Sequence, residues 1–202
     1  GNRYLDGISS LWCLVHGHSH PKLVAALTEQ VRTLAHSTLL GLSHRPAIEL
    51  AEKLISIAPP GLSRVFYCDS GASAVEAGLR MALEWWYHQG DPASRKRTRI
   101  AALEGAYHGD TLGSVSVGFA ERFHRGVEPA VVRAFQVPPP HHFRFDHGMN
   151  ETEATAAALE GVSRLFREHG EEIAVFAIEP RVQGAAGVWI HPPEFLTGVA
   201  EL

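Results

Sequence analysis

Hydrophobic and polar positions follow two rhythms along this chain, and the changes of rhythm mark its elements. Behind Pro21, which suits the first turn of a helix, Leu23, Leu27, Val31 and Leu34 recur at helical spacing. A loop over His36 to His44 comes next. Pro46 opens a second helix with the stripe Ile48, Ala51, Leu54, Ile55 and Ala58, and Pro59-Pro60-Gly61 stops it. Arg64-Val65-Phe66-Tyr67-Cys68 then reads as a buried strand leading into a long amphipathic helix from about Ala72 to His88. The inward stripe of that helix is Val75, Leu79, Leu83 and Trp86.

Strand and helix keep alternating downstream. Arg99 to Leu103 and Val131 to Val137 read as strands, the second closed by Pro138-Pro139-Pro140. Asp110 is the expected N-cap of a helix between them. His141 to Gly148 reads as an aromatic, histidine-rich loop. Asn150 caps a helix with Glu151 and Glu153 in its first turn and Leu159, Val162, Leu165 and Phe166 turned inward. Ile173 to Ile178 is continuously apolar, as a parallel strand covered on both faces would be. The predicted class is therefore α/β with a largely parallel sheet and flanking helices.

Composition narrows the reading without changing it. The chain has 202 residues, 45% hydrophobic and 20% charged, with a formal net charge of −4, which fits an ordinary globular protein. Its one basic run, Arg95-Lys96-Arg97-Thr98-Arg99, reads as a solvated loop, so no nucleic-acid partner is expected. Cys13 and Cys68 make neither a zinc pattern nor a disulfide framework, which suits a reducing cytoplasm. No apolar run is long enough to cross a bilayer, so no membrane partner is expected. Both ends read as cut through an element, as in a piece of a longer protein. His16, His18 and His20 alternate, but Gly17 and Pro21 favour a turn over a metal site, and no metal is expected.

In α/β sheets ligands bind beyond the carboxyl ends of the strands. Three junctions fall there. Ser70-Gly71-Ala72 opens a helix after a strand, where unpaired amides and the helix dipole offer a seat for a phosphate; a plain connection is the bland alternative. Tyr107 stands on a Gly-flanked turn, either packed under the sheet or free to stack on a flat cofactor with its hydroxyl open to substrate. Glu179 ends an apolar strand, where a carboxylate needs a partner and often faces a site.

These stretches together resemble the class III aminotransferases, which use pyridoxal 5'-phosphate. The likeness rests on Asp6-Gly7-Ile8-Ser9-Ser10-Leu11-Trp12, His16-Gly17-His18-Ser19-His20-Pro21, Asp69-Ser70-Gly71-Ala72, and Gly105-Ala106-Tyr107-His108-Gly109-Asp110-Thr111 with Ser114-Val115-Ser116-Val117. It continues through Ile178-Glu179-Pro180-Arg181-Val182-Gln183-Gly184-Ala185-Ala186-Gly187. It implies a fold-type I large domain, incomplete here, over residues 46–202, and a substrate-side N-terminal segment over 1–45. It also implies that the backbone of Gly71 and Ala72, with Ser70 nearby, holds the cofactor phosphate. By the same carry-over Tyr107 lies against the ring and bonds the keto substrate, Glu179 positions the cofactor, and Leu11 and Trp12 line the substrate pocket. Leu11 replaces an aromatic residue, and Arg181 stands where the family usually has an aliphatic one.

The resemblance is closest to the biotin branch, which aminates 8-amino-7-oxononanoate to 7,8-diaminononanoate with S-adenosylmethionine, or lysine, as donor. It implies a homodimer. The family's Asp against the pyridine nitrogen and its Schiff-base lysine are expected downstream of Leu202, so no catalytic residue is assigned within the chain and residues 1–202 alone are expected to be inactive. Two other readings stand beside this one: another class III aminotransferase acting on ornithine or an omega-amino acid, and a non-catalytic α/β phosphate-binding module.

Overall fold

A computed structural model describes residues 1–141, 148–185 and 187–202. Most of the histidine-rich loop expected at 141–148, and Ala186, lie outside the described residues. By internal contacts the chain divides into two units, Gly1–Phe66 and Tyr67–Leu202.

The first unit is helical. Its short turn α1 (Ser9–Trp12) has left-handed backbone angles at all four residues, and its Ser10 amide donates to the Asp6 carboxylate. α2 (Pro21–Thr33) starts at its proline, as the pattern predicts, and α3 (Arg45–Ile57) starts one residue ahead of Pro46. Their apolar stripes form but stay uncovered: Leu23, Leu27, Val31, Ile48 and Leu54 are all exposed, and Ala47 alone among the residues of the two helices is buried.

The strand expected at residues 64–68 is a correction. Residues 62–68 are irregular, with Phe66 and Cys68 exposed. A strand exists only against another strand's edge, and among the described residues none pairs with this segment.

The second unit holds the sheet. β1 (Arg99–Leu103) lies between β2 (Phe135–Val137) and β3 (Ile173–Ala177), parallel to both. β2 is shorter than the expected 131–137 run. Successive side chains point to opposite faces, and each face has its own cover. Leu103, Val137, Phe176 and Ile178 meet Ala158, Val162 and Phe195 from α7 (Glu151–His169) and α8 (Pro193–Glu201). Ala102, Ile100, Val175 and Ala177 meet Val75 and Leu79 from α4 (Gly71–Tyr87) and Val117 from α5 (Leu112–Val117). The result is a three-layer α/β unit whose continuous apolar strands are explained by two covered faces.

Local signals hold well here. α7 carries a full capping box, in which the Asn150 side chain accepts from Glu153 N–H and the Glu153 carboxylate accepts from Asn150 N–H. Trp86 turns inward and donates from its indole to Ala174 O at 2.8 Å, with the Arg97 guanidinium 4.3 Å above its ring. Trp85 stays exposed. A short helix α6 (Glu121–His124) and a small antiparallel pair, β4 (Val182–Gln183) with β5 (Trp189–Ile190), complete the unit. Among the described residues no helix is long and apolar enough to cross a membrane.

Candidate active site

The turn after β1 and the start of α4 converge on an open cleft of about 710 Å³, lined by Gly71, Ala72, Tyr107, His108, Gly109 and Asp110, among others. A hollow of about 770 Å³ around Arg97, His169 and Ile173 lies at the opposite end of the strands and contains none of the predicted site residues. The first position is the one parallel sheets use for ligands.

Ser70 is the N-cap of α4. Its backbone is extended (φ −152°, ψ 165°), and its hydroxyl accepts from Ser73 N–H at 3.1 Å. Ala74 N–H reaches Ser70 O, so the third and fourth amides of the helix are satisfied. The first two, on Gly71 and Ala72, have no acceptor among the described residues and border the cleft. They stand at the positive end of a 17-residue helix, which is the arrangement that suits an anion. The Ser73 hydroxyl beside Asp69 holds that exposed carboxyl below the usual carboxylate range.

The opposite wall is fixed against this turn by backbone proximity. Gly109 has φ +120°, and a Cβ there would stand 2.6 Å from Ala72 Cβ and 2.9 Å from Ala72 Cα. Only glycine fits both the angle and the space. Ser114 donates from its hydroxyl to Ala72 O at 3.2 Å, and the Glu76 carboxylate accepts from Gly113 N–H at 3.0 Å. The N-cap of α5 is Thr111, not Asp110 as the sequence suggested. Asp110 is displaced from capping because its carboxylate is used elsewhere.

That use is Tyr107. The phenol donates to Asp110 Oδ2 at 2.6 Å, so the hydroxyl expected to stand free is already bonded. The bond to Asp110 pushes the Tyr107 phenol above its ordinary range and, with the His124 contact, pulls the Asp110 carboxyl below its own. Burial holds the neighbouring His108 below its ordinary range, against the pull of the Glu179 charge.

Glu179 does not line the cleft. It supports it from behind: Oε1 accepts from Tyr107 N–H and Oε2 from Gly184 N–H, both at 2.9 Å. A carboxylate at the end of β3 thus ties the turn after β1 to the turn after β4. Arg181 is exposed and forms no ion pair with it among the described residues. Leu11 and Trp12 belong to the first unit, exposed on its left-handed turn. The structure thus brings Gly71, Ala72 and Tyr107 onto one cleft, with Ser70 and Glu179 at its supports. Sequence reasoning gave no role to Glu76, Ser114 or His124, whose partners lie 14 to 42 positions away.

An open parallel sheet with a bare helix N-terminus and an aromatic turn at its strand ends is a common frame for phosphate-bearing cofactors. The family model Aminotransferase class-III matches residues 1–202, and the chain belongs to that family. It is 47% identical over its whole length to the adenosylmethionine-8-amino-7-oxononanoate aminotransferase of Nitratidesulfovibrio vulgaris, of which it covers 37%. Among solved structures it is similar to the enzyme of that name from Methanocaldococcus jannaschii, with TM-score 0.85 and 36% identity over all of this chain and 42% of that one. It is also similar to an (S)-enantioselective omega-transaminase from Thermomicrobium roseum, with TM-score 0.89 and 32% identity over all of this chain and 44% of that one. The chain spans less than half the length of each of these relatives.

Proposed function

We propose that this chain is the phosphate-seating part of an aminotransferase that uses pyridoxal 5'-phosphate to aminate 8-amino-7-oxononanoate, giving 7,8-diaminononanoate for biotin. The observation that carries the reading is the pair of bare amides, Gly71 and Ala72, on the same cleft as Tyr107. The likeness to relatives bearing that activity in their names supports the choice of substrate. The amino donor is S-adenosylmethionine, with lysine as the alternative.

The residues present fit the cofactor. Two helix-terminal amides suit its phosphate, and the Gly109 approach to Ala72 holds the two walls in place. In this reading Gly71 and Ala72 bind the phosphate, Tyr107 offers its ring as an aromatic wall, and Glu179 keeps the Tyr107 turn in position. Ser70 fixes the helix start. Leu11 and Trp12, within the 1–45 segment, serve the substrate side. Bound there, pyridoxal phosphate would supply an electron-accepting ring for the transfer of an amino group. The lysine that holds it, the dimer partner and a cytoplasmic setting belong to the same proposal.

The test uses the full-length protein. Amine transfer to 8-amino-7-oxononanoate from S-adenosylmethionine or lysine is the expected result. Transfer only to the keto partners of ornithine or an omega-amino acid would replace this substrate with the broader omega-transaminase reading, which the Thermomicrobium roseum likeness favours. The phosphate seat has its own variant, Gly71→Pro. Proline suits the first helical position, and the extended Ser70 backbone accepts a following proline, so the helix survives while one amide is lost. Pyridoxal phosphate affinity should fall about tenfold, the loss of one hydrogen bond to a charged group. An equal loss for pyridoxal, which lacks the phosphate, would count against the seat.

A further inference from the structure

Behind the cleft wall a buried histidine is linked to Tyr107 through Asp110. The His124 side chain is only 4% exposed, while the Asp110 side chain is 73% exposed. His124 Nδ1 accepts the amide N–H of Ala120 at 3.1 Å. A ring nitrogen that accepts carries no proton, so the proton of the neutral imidazole sits on Nε2. That nitrogen stands 3.2 Å from Asp110 Oδ1 and donates to it. Asp110 Oδ2 accepts a hydrogen bond from the Tyr107 hydroxyl at 2.6 Å. The His124 and Tyr107 rings lie nearly parallel, 17° apart with centroids at 6.0 Å.

An exposed carboxylate on a loop is free to turn to water unless something holds it. Among the described residues, the partners of the Asp110 side chain are Tyr107 and His124, and of these only His124 is buried and fixed by a backbone bond. The direction of each proton follows from the Ala120 amide outward.

We propose that His124 is a positioning residue: it anchors Asp110, and Asp110 then accepts the hydrogen bond of the Tyr107 hydroxyl, so that Tyr107 presents only oxygen lone pairs to the cleft. A ligand group meeting that oxygen must bring its own N–H or O–H. The site at Tyr107 therefore favours a donating group, which for an aminotransferase is the amine or ammonium, and offers no donor to a ketone. This departs from the carry-over in which Tyr107 bonds the keto group. The identity of the amine rests on the proposed function; the hydrogen-bond chain does not.

The two ends of the imidazole can be tested separately. Glutamine at position 124 reproduces the Nε2 donor to Asp110, and asparagine reproduces the Nδ1 acceptor for Ala120. The readout is the titration of Tyr107 in the cofactor-free full-length protein, followed by carbon-13 in the tyrosine rings and assigned with Tyr107→Phe. Among the described residues the titratable side chains in contact with the Tyr107 side chain are Asp110 and His124. Wild type and His124→Gln should titrate above the ordinary tyrosine range, and His124→Asn should fall back toward it. In the full-length enzyme His124→Asn should raise KM for the amine donor about threefold to tenfold with kcat little changed, the size of one lost hydrogen bond.

An unchanged Tyr107 midpoint in His124→Asn would overturn the proposal. So would equal losses in both variants that follow melting temperature alone. A measurement without any variant stands beside these: nitrogen-15 shifts of His124 in the wild type should report a proton on Nε2, and a proton on Nδ1 would sink the idea. If the enzyme fails to aminate 8-amino-7-oxononanoate, the Tyr107 and His124 spectra still decide the hydrogen-bond chain.

Discussion

The two units of this chain show the same hydrophobic periodicity with different outcomes. α2 and α3 carry apolar stripes as regular as those of α4 and α7, yet Leu27 on α2 is 68% exposed, while Val162 on α7 is fully buried. The difference lies in what each stripe meets. In residues 67–202 the sheet offers two apolar faces, and α4, α5, α7 and α8 cover them. Among residues 1–66 there is no sheet, and the helices have no apolar plane to settle on. Periodicity announces that a face is suited to burial; it says nothing about the surface that buries it.

The largest test of this contrast is a pair of truncations. Leu103→Ala removes a fully buried side chain from the cluster of Val137, Ala158, Val162 and Phe195, and should cost about 2–5 kcal/mol of stability. Leu27→Ala on the exposed stripe should change stability by less than about 0.5 kcal/mol. Chemical denaturation of the 202-residue chain reads both. A Leu27 cost near that of Leu103 would mean that the α2 face is covered in solution.

Acid should separate the units next. His191 is fully buried in the second unit, its Nε2 bonded to Gln183 Oε1 at 3.0 Å, and burial pushes it from 6.5 down to about 4, with the nearby His141 adding to the fall. The unfolded chain therefore takes up this proton first. The contribution of neutral His191 is whole above about pH 6.5 and is lost as pH falls towards 4. Hydrogen exchange at pH 7 and pH 5 should show the second unit loosening, and His191→Gln should flatten the slope in that window.

The smallest effect concerns helix starts. Asn150→Ala breaks the capping box of α7 and should cost about 1 kcal/mol. His20 makes no side-chain cap on α2, so His20→Ala should lack that penalty. Thermal unfolding of the two variants sharpens the same comparison at the level of a single turn.

Much of the fold was legible because its signals are local. The limits of β1, the Asn150 cap, the inward stripe of α4 and the two-faced burial of β3 all follow from residues within a few positions of one another. The expected strand at 64–68 failed because a ladder requires a partner edge, which no local pattern specifies. The candidate site divides in the same way. The Ser70-Gly71-Ala72 turn declares itself by its place before a helix. Asp110 was misread as an N-cap because a carboxylate ahead of a helix looks like one until Tyr107 and His124 claim it.

Periodicity, capping chemistry and ordered motifs were enough for the α/β class, the starts of α2 and α7, and the family. Three things needed the folded arrangement: which faces are covered, that Glu179 binds two backbone amides rather than lining the cleft, and which way the Tyr107 proton points. Those outcomes depend on groups far apart in the chain arriving within 3 Å of one another, and hydrogen-bond direction is fixed only when both partners are in place.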